Sequence, residues 1–316
     1  MAEENWERKV LERLAEDILV ERRRARRWNI FFRLSGLAIV TFVAVSLVAL
    51  VGLGGKVCLD QCTAVIYVDG EIERSGRANA ESVIEGLKQA FELPQVKGVV
   101  VAINSPGGSP VQAGQIHDEM RRLRAKYPDK PTYAVVEELA ASGGYYIAVG
   151  ADRIYVDKAS IVGSIGVIME GFGLAEAIDK LGIERRVIAA GENKSFLDPF
   201  EPLDPQHVAH IRTMLREVHE QFITAVRNGR GARLKETPDL FSGLVWTGQR
   251  AIELGLADEI GSVDYVAREV IKAQEIVDFT PEERLTDRIA RRFGTTIARL
   301  VRTELSVPRF GGYALR

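Results

Sequence analysis

Residues 34–55, LSGLAIVTFVAVSLVALVGLGG, run for 22 positions without a charged side chain. As a helix rising about 1.5 Å per residue, such a run matches a hydrocarbon core about 30 Å thick, and a buried core helix seldom needs so long an uncharged stretch. Immediately before it stand Arg22, Arg23, Arg24, Arg26, Arg27 and Arg33, with no acid after Glu21; beyond it Lys56 is the sole cation before Arg74. Positive residues stay on the cytoplasmic side, so residues 30–55 are expected to form a transmembrane helix with residues 1–29 in the cytoplasm and the rest across the membrane. Trp28 and Phe31 would then lie at the cytoplasmic interface. A cleaved leader fits poorly, because the run begins about thirty residues in. Residues 5–27 space Val10, Leu11, Leu14 and Ile18 three or four apart, the pattern of a surface helix to which no chemistry is assigned.

The length of the whole chain suits one large domain or two ordinary ones. Across 316 residues, 42 Lys and Arg stand against 44 Asp and Glu, a formal net charge of −2. Phosphate binding leaves a basic excess, so no nucleic-acid partner is expected. The balance is a sum over unlike parts: residues 287–316 hold seven arginines against Asp287 and Glu304, with Ile289, Phe293, Ile297, Leu300 and Val301 at helical spacing. That tail could lie on an anionic membrane surface or pack on the domain or a neighbouring subunit, and packing is the simpler reading. Cys58 and Cys62 are too few for a disulfide-stapled scaffold, and no second Cys or His cluster completes a metal site. A small-residue role is the expectation, with a disulfide open to them in an oxidising compartment.

From about Thr63, apolar runs alternate with helical patterns: TAVIYVDG, a helix over 80–93, GVVVAINS, a helix over 110–126, then TYAVVEEL, RIYVDK, SIGVIM and ERRVIAA as further strand-like runs. Uninterrupted apolar strands separated by helices predict an α/β layered domain with buried strands. A long helix is expected over 205–228, with Asp204 as its N-cap and Gly229 as its stop, followed by helices near 248–254 and 263–274.

Three glycine-rich turns follow strand-like runs: NSPGGSP at 104–110, ASGGYY at 141–146 and GSIGV at 163–167. Glycine removes the Cβ that would keep backbone N–H groups away from a ligand. In the first turn Ser109 and Pro110 also read as N-cap and first helical residue. An oxyanion hole is one use for such turns; phosphate binding is the other, but the P-loop pattern is absent. Ser142, between Ala140-Ala141 and Gly143-Gly144, best fits a nucleophile on a strand-to-helix turn, although a tight helix start alone would read the same way. His207, His210 and His219 share the long helix and His117 sits on an earlier one, so no histidine stands in a loop near the glycine turns. A His207/His210 pair could bind metal, but such a pair is more often a solvated helix face, which is the expectation. A lysine serves as base where burial lowers its pKa from about 10.4 toward neutrality, and Lys194 lies in a loop, GENKS, after an apolar run.

INSPGGSP, AASGGYYIA, VGSIGV and GENKSFLDPFEP, in that order and at these spacings, resemble the signal peptide peptidase A (protease IV) family of serine–lysine membrane peptidases, over roughly residues 60–275 plus the anchor. The resemblance implies a Clp protease/crotonase-like α/β fold of repeated ββα units over residues 56–276, which leaves the basic amphipathic tail, read from composition, at 277–316. It implies Ser142 as nucleophile, Lys194 as general base and Ser164 as the residue orienting the lysine. Gly107, Gly108 and Gly143 match the oxyanion hole. No metal or organic cofactor is implied. With a single SGG motif and a single lysine motif the chain resembles the short forms, in which adjacent subunits of a ring supply the serine and the lysine. A homo-oligomer is therefore implied. Its substrates would be remnant signal peptides and other apolar peptides at a bacterial cytoplasmic (inner) membrane, cleaved on the outer or periplasmic side. The competing expectations are a quality-control protease of broader substrate range, a crotonase-like acyl-CoA enzyme and a non-catalytic acyl-binding membrane scaffold. A crotonase-like enzyme would need neither the anchor nor the GENKS loop.

Overall fold

A computed structural model describes residues 26–46, 58, 60–281 and the backbone of 314–315. They fall into two units, residues 1–57 and 58–316. In the first, α1 (Arg26–Ser46) is long and apolar enough to cross a membrane, and no residue on it is buried. It begins earlier than the uncharged run, and residues 47–55 of that run lie outside the described residues, as do residues 1–25 and most of the basic tail.

The second unit is built on an eight-stranded sheet. Its centre is β1 (Cys62–Asp69), β2 (Val96–Ser105) and β3 (Thr132–Ala141), all parallel. The first half of β3 pairs with β4 (Arg153–Val156) and its last residues with β5 (Ile161–Gly163). β7 (Val245–Thr247) runs antiparallel to β5, β8 (Glu259–Ile260) pairs with β4, and β9 (Glu275–Asp278) lies on the free edge of β1. Strand interiors buried on both faces explain the unbroken Val/Ile runs, and these parallel strands need helical crossovers.

The crossovers are α2 (Ala80–Glu92), α3 (Pro110–Lys126) and the short α4 (Gly143–Ala148). The Asn79 side chain caps α2 through the Ser82 N–H, and Ser109 caps α3 through Gln112. Between each of the first two strands and its helix lies one extended residue, Ile72 and Gly108, and these two form a parallel bridge. Strand, short second strand and helix thus recur, the expected ββα unit. The helices and α6 (Pro205–Arg230) bury one sheet face in a continuous core that includes Ile66, Val101, Ile116, Tyr145 and Val226. The opposite face carries a smaller cluster, Val65, Val100, Ala102, Val135, Tyr155 and Val266.

Several expectations need correction. Asp204 caps α6 as anticipated, accepting from the Gln206 N–H at 2.7 Å, but Gly229 does not stop the helix. A Cβ there would overlap the Val149 carbonyl, so Gly229 permits close packing, and Gly231, at φ 53°, ends the helix. The 184–190 run forms no strand, and Ile188 is fully exposed. SIGVIM yields only β6 (Met169–Glu170), paired antiparallel with β10 (Ala314–Leu315). Between β6 and α6 comes one short helix, α5 (Ala175–Lys180), with no buried residue. α7 (Gly248–Glu253) matches its expected span, whereas the last helix is α8 (Val263–Tyr265) continued by a π-type turn, Val266–Ile271, and halted by Lys272 in the left-handed region. Cys58 and Cys62 are disulfide-bonded, in place of the small-residue role expected for them.

Candidate active site

β3 delivers Ser142 to the rim of the sheet, and α4 begins at the next residue. Ser142 has φ 51° and ψ −122°, a conformation that side-chain-bearing residues avoid, so its surroundings must hold it there. Its N–H donates to Gly163 O at 2.9 Å, and its carbonyl accepts from the Tyr146 N–H at 2.9 Å. Its hydroxyl makes no capping bond to the helix. The small residues around it follow from crowding: a Cβ on Gly144 would lie 2.9 Å from Ser105 O.

The end of β2 reaches the same place. Buried Ser105 turns its hydroxyl to accept the Gly107 N–H at 3.1 Å. Gly107, at φ 103°, passes so close to Ser142 that a Cβ would sit 2.7 Å from Ser142 Cβ and 2.8 Å from Gly143 N. In the bridge to Ile72, the Gly107 carbonyl accepts from Ile72 and the Ser109 N–H donates back, which leaves the Gly108 N–H outside that ladder. A Cβ on Gly143 would lie 3.4 Å from Gly108 N, so these two backbone amides neighbour one another beside Ser142. The Gly143 N–H opens a helix and has no intrahelical acceptor. Two such amides, with the N-terminus of α3 one residue further on, favour negative charge at this point.

Ser164 stands next to Ser142, since Ala141 pairs in register with Gly163. It too has φ 51°, and its N–H donates to Leu244 O at 2.7 Å. The following turn is tied to α6 by His219, whose Nε2 lies 3.0 Å from Ile165 O.

Over Ser142 opens a cavity of about 270 Å³. Its walls are Val111 and Gly114 of α3, Tyr146 of α4, Val167, and Val218 with Phe222 of α6. Tyr146 packs between His117 and Phe222, with ring centroids 5.1 and 5.0 Å away. Sequence reasoning missed these walls. Their signal was the four-residue spacing of Val218 and Phe222 and a glycine within a helix at 114.

Thus Ser142, Ser164, Gly107, Gly108 and Gly143 are gathered at one rim. Lys194 is not among the residues lining the cavity. It is exposed, in a loop whose Asn193 Oδ1 lies 3.1 Å from His207 Nε2 and whose Phe196 packs on His207 and His210. Those two histidines therefore anchor the loop to α6 and are more than a solvated face. Among the described residues no group of three or more His, Cys, Asp or Glu could hold a metal.

Comparison with known proteins adds to this geometry. Residues 124–277 match the model of peptidase family S49. A protein of Synechocystis sp. named as a protease is 32% identical over 199 residues, 63% of this chain and 69% of that protein. The chain belongs to peptidase family S49. An Enterococcus faecium relative, named as a signal peptide peptidase, is 30% identical over 230 residues, 70% of this chain and 66% of its own length. The Na(+)/H(+) antiporter NhaA of Brucella melitensis is 45% identical over 177 residues, which are 56% of this chain and 24% of that protein. The chain thus spans about a quarter of that relative's length. The S49 match runs from the end of α3 to β9, and so includes Ser142, Gly143, Ser164 and Lys194.

Proposed function

We propose that this S49 peptidase is a membrane-anchored serine endopeptidase working through a Ser142–Lys194 dyad. The observation that carries the reading is Ser142, held at positive φ with its hydroxyl uncommitted, beside the paired amides of Gly108 and Gly143. In the proposed reaction neutral Lys194 takes the Ser142 proton, the alkoxide attacks a peptide carbonyl, and the two amides stabilise the tetrahedral oxyanion. The lysine returns the proton to the leaving amine, then activates the water that releases the acyl group. Ser164 orients the ammonium from the neighbouring turn.

Lys194 reaches the serine from an adjacent copy of the chain. Support comes from the segment that carries it: Phe172 is 85% and Ile188 101% exposed, with Leu181 and Leu203 also uncovered. Apolar side chains standing off the domain in this way suit burial against a second copy, and that contact would desolvate Lys194. The apolar walls of the cavity favour apolar side chains next to the scissile bond, as in remnant signal peptides. α1 anchors the chain with its arginines in the cytoplasm, and the Cys58–Cys62 disulfide fits a domain on the oxidising side.

A fluorophosphonate probe tests the nucleophile. It should modify Ser142 in the detergent-solubilised protein and leave Ser142→Ala unmodified; modification of both variants alike would refute the assignment.

A further inference from the structure

The second face of the sheet is covered only in part. Beside the short cover of residues 263–271 it opens into a groove of about 540 Å³, with Tyr67, Val135, Val263 and Ile276 among its apolar surfaces. Acids gather along it. Glu137, Asp157 and Asp264 line the groove, and Asp69 and Asp278 end β1 and β9 beside it. Burial, then repulsion from Asp69 and Glu138, raises the Glu137 pKa; burial, then Glu137, Asp278 and Asp264, raises that of Tyr67. Among the described residues no cation answers these acids by an ion pair. Arg268, a turn beyond Asp264, is engaged by Glu269 at 2.7 Å.

The geometry points to the chain's own basic tail as the occupant: we propose that residues 287–302 dock in this groove. Arg288, Arg291, Arg292, Arg299 and Arg302 would meet its acids, and the stripe of Ile289, Phe293, Ile297, Leu300 and Val301 would cover its apolar floor. The attachment is favourable. Thr280 Oγ1 accepts the Tyr67 N–H at 2.9 Å, so the chain leaves the sheet beside a groove residue. Residues 281–286 span at most about 20 Å, a tether that makes the segment's local concentration high. The chain end returns to the same unit, where Ala314–Leu315 pairs with Met169–Glu170. On this proposal the tail arginines serve intramolecular docking, and the bilayer and a second copy are the rival occupants.

The test uses the full-length protein in detergent, with Ile260→Cys in the groove, Ile297→Cys in the tail and a short bismaleimide. A crosslink within one chain is expected, and adding Glu137→Lys with Asp264→Lys should lower its yield about tenfold, the effect of a few surface ion pairs. Molar salt should lower it as well. Crosslinks formed only between chains, a yield indifferent to charge reversal and salt, or loss of the crosslink when phosphatidylglycerol vesicles are added would overturn the proposal. A chain ending at residue 286 provides a readout independent of those substitutions. Amide exchange over residues 260–271 should quicken about tenfold in it, and unchanged exchange would contradict the docking.

Discussion

Replacing Gly107 with alanine separates two costs that the site combines. The backbone at φ 103° strains any side-chain-bearing residue by about 1–3 kcal/mol. The added methyl would also stand 2.7 Å from Ser142 Cβ, where carbon atoms ordinarily rest about 3.5–4.0 Å apart, a shortfall of about 1 Å. Relief must come from Ser142 or from the Gly143 amide, 2.8 Å away. A misplacement of about 1 Å costs about 100-fold in rate, and loss of one oxyanion donor about 100- to 1000-fold. Because both act on one unit the losses do not multiply, and a fall in kcat of about 100- to 1000-fold is expected. Gly70→Ala is the control, at φ 85° with nothing within 4 Å of the new methyl. Strain of about 2 kcal/mol lowers Tm by about 4–8 °C in a domain of this size, and both variants should show it. Hydrolysis of a fluorogenic apolar peptide should collapse in Gly107→Ala alone. Equal turnover in the two variants would refute the reasoning from the packing of Gly107 on Ser142.

Asp258 accepts two hydrogen bonds from buried Arg230, at 2.8 and 2.9 Å. Burial raises its pKa, but Arg230, the Ile154 N–H and Arg233 outweigh that, and the net shift is downward. A folded-state pKa below the unfolded value of about 3.9 gives stability that is complete above that value and is lost as pH falls through the folded one. Asp258→Asn should therefore cost about 3–5 kcal/mol in urea unfolding at neutral pH, by leaving Arg230 unpaired, and should flatten the acid limb. Gly114→Leu projects into the cavity, where a Cβ meets nothing within 4 Å. It should lower kcat/KM for large apolar residues before the scissile bond by about 10- to 200-fold while sparing alanine there, as a peptide series would report. Reducing the Cys58–Cys62 disulfide, which closes a five-residue loop, should lower stability by about 2 kcal/mol, measured as a fall in Tm with dithiothreitol.

Much of this was legible in sequence because local chemistry and tertiary role coincided. Ser109-Pro110 and Asp204-Pro205 cap and open their helices where those residues say, and the Val/Ile runs of β1, β2 and β3 are the buried centre of the sheet. The glycine turns were legible for a related reason: each needs a conformation or an approach that a side chain forbids. Reading failed where a neighbour distant in sequence decides. Gly229 serves Val149, about eighty residues earlier, and so could not be told from a stop signal. Residues 184–190 have the composition of a strand but no partner strand. Lys194 fits its motif, yet the structure leaves it exposed on a loop and outside the cavity that opens over Ser142. The cavity walls stand on three helices and the turn that carries Val167, an assembly that only the fold reveals.

The central claim, a serine and a lysine contributed by different copies, is tested most directly by mixing Ser142→Ala and Lys194→Ala chains, unfolding them together and reassembling them. Each variant alone should be inactive. If neighbouring copies in a symmetric ring supply the two groups, random mixing at equal amounts places an intact serine beside an intact lysine at about one site in four, and about a quarter of the parental activity should return. Mixed assemblies as inactive as their components would contradict the shared site.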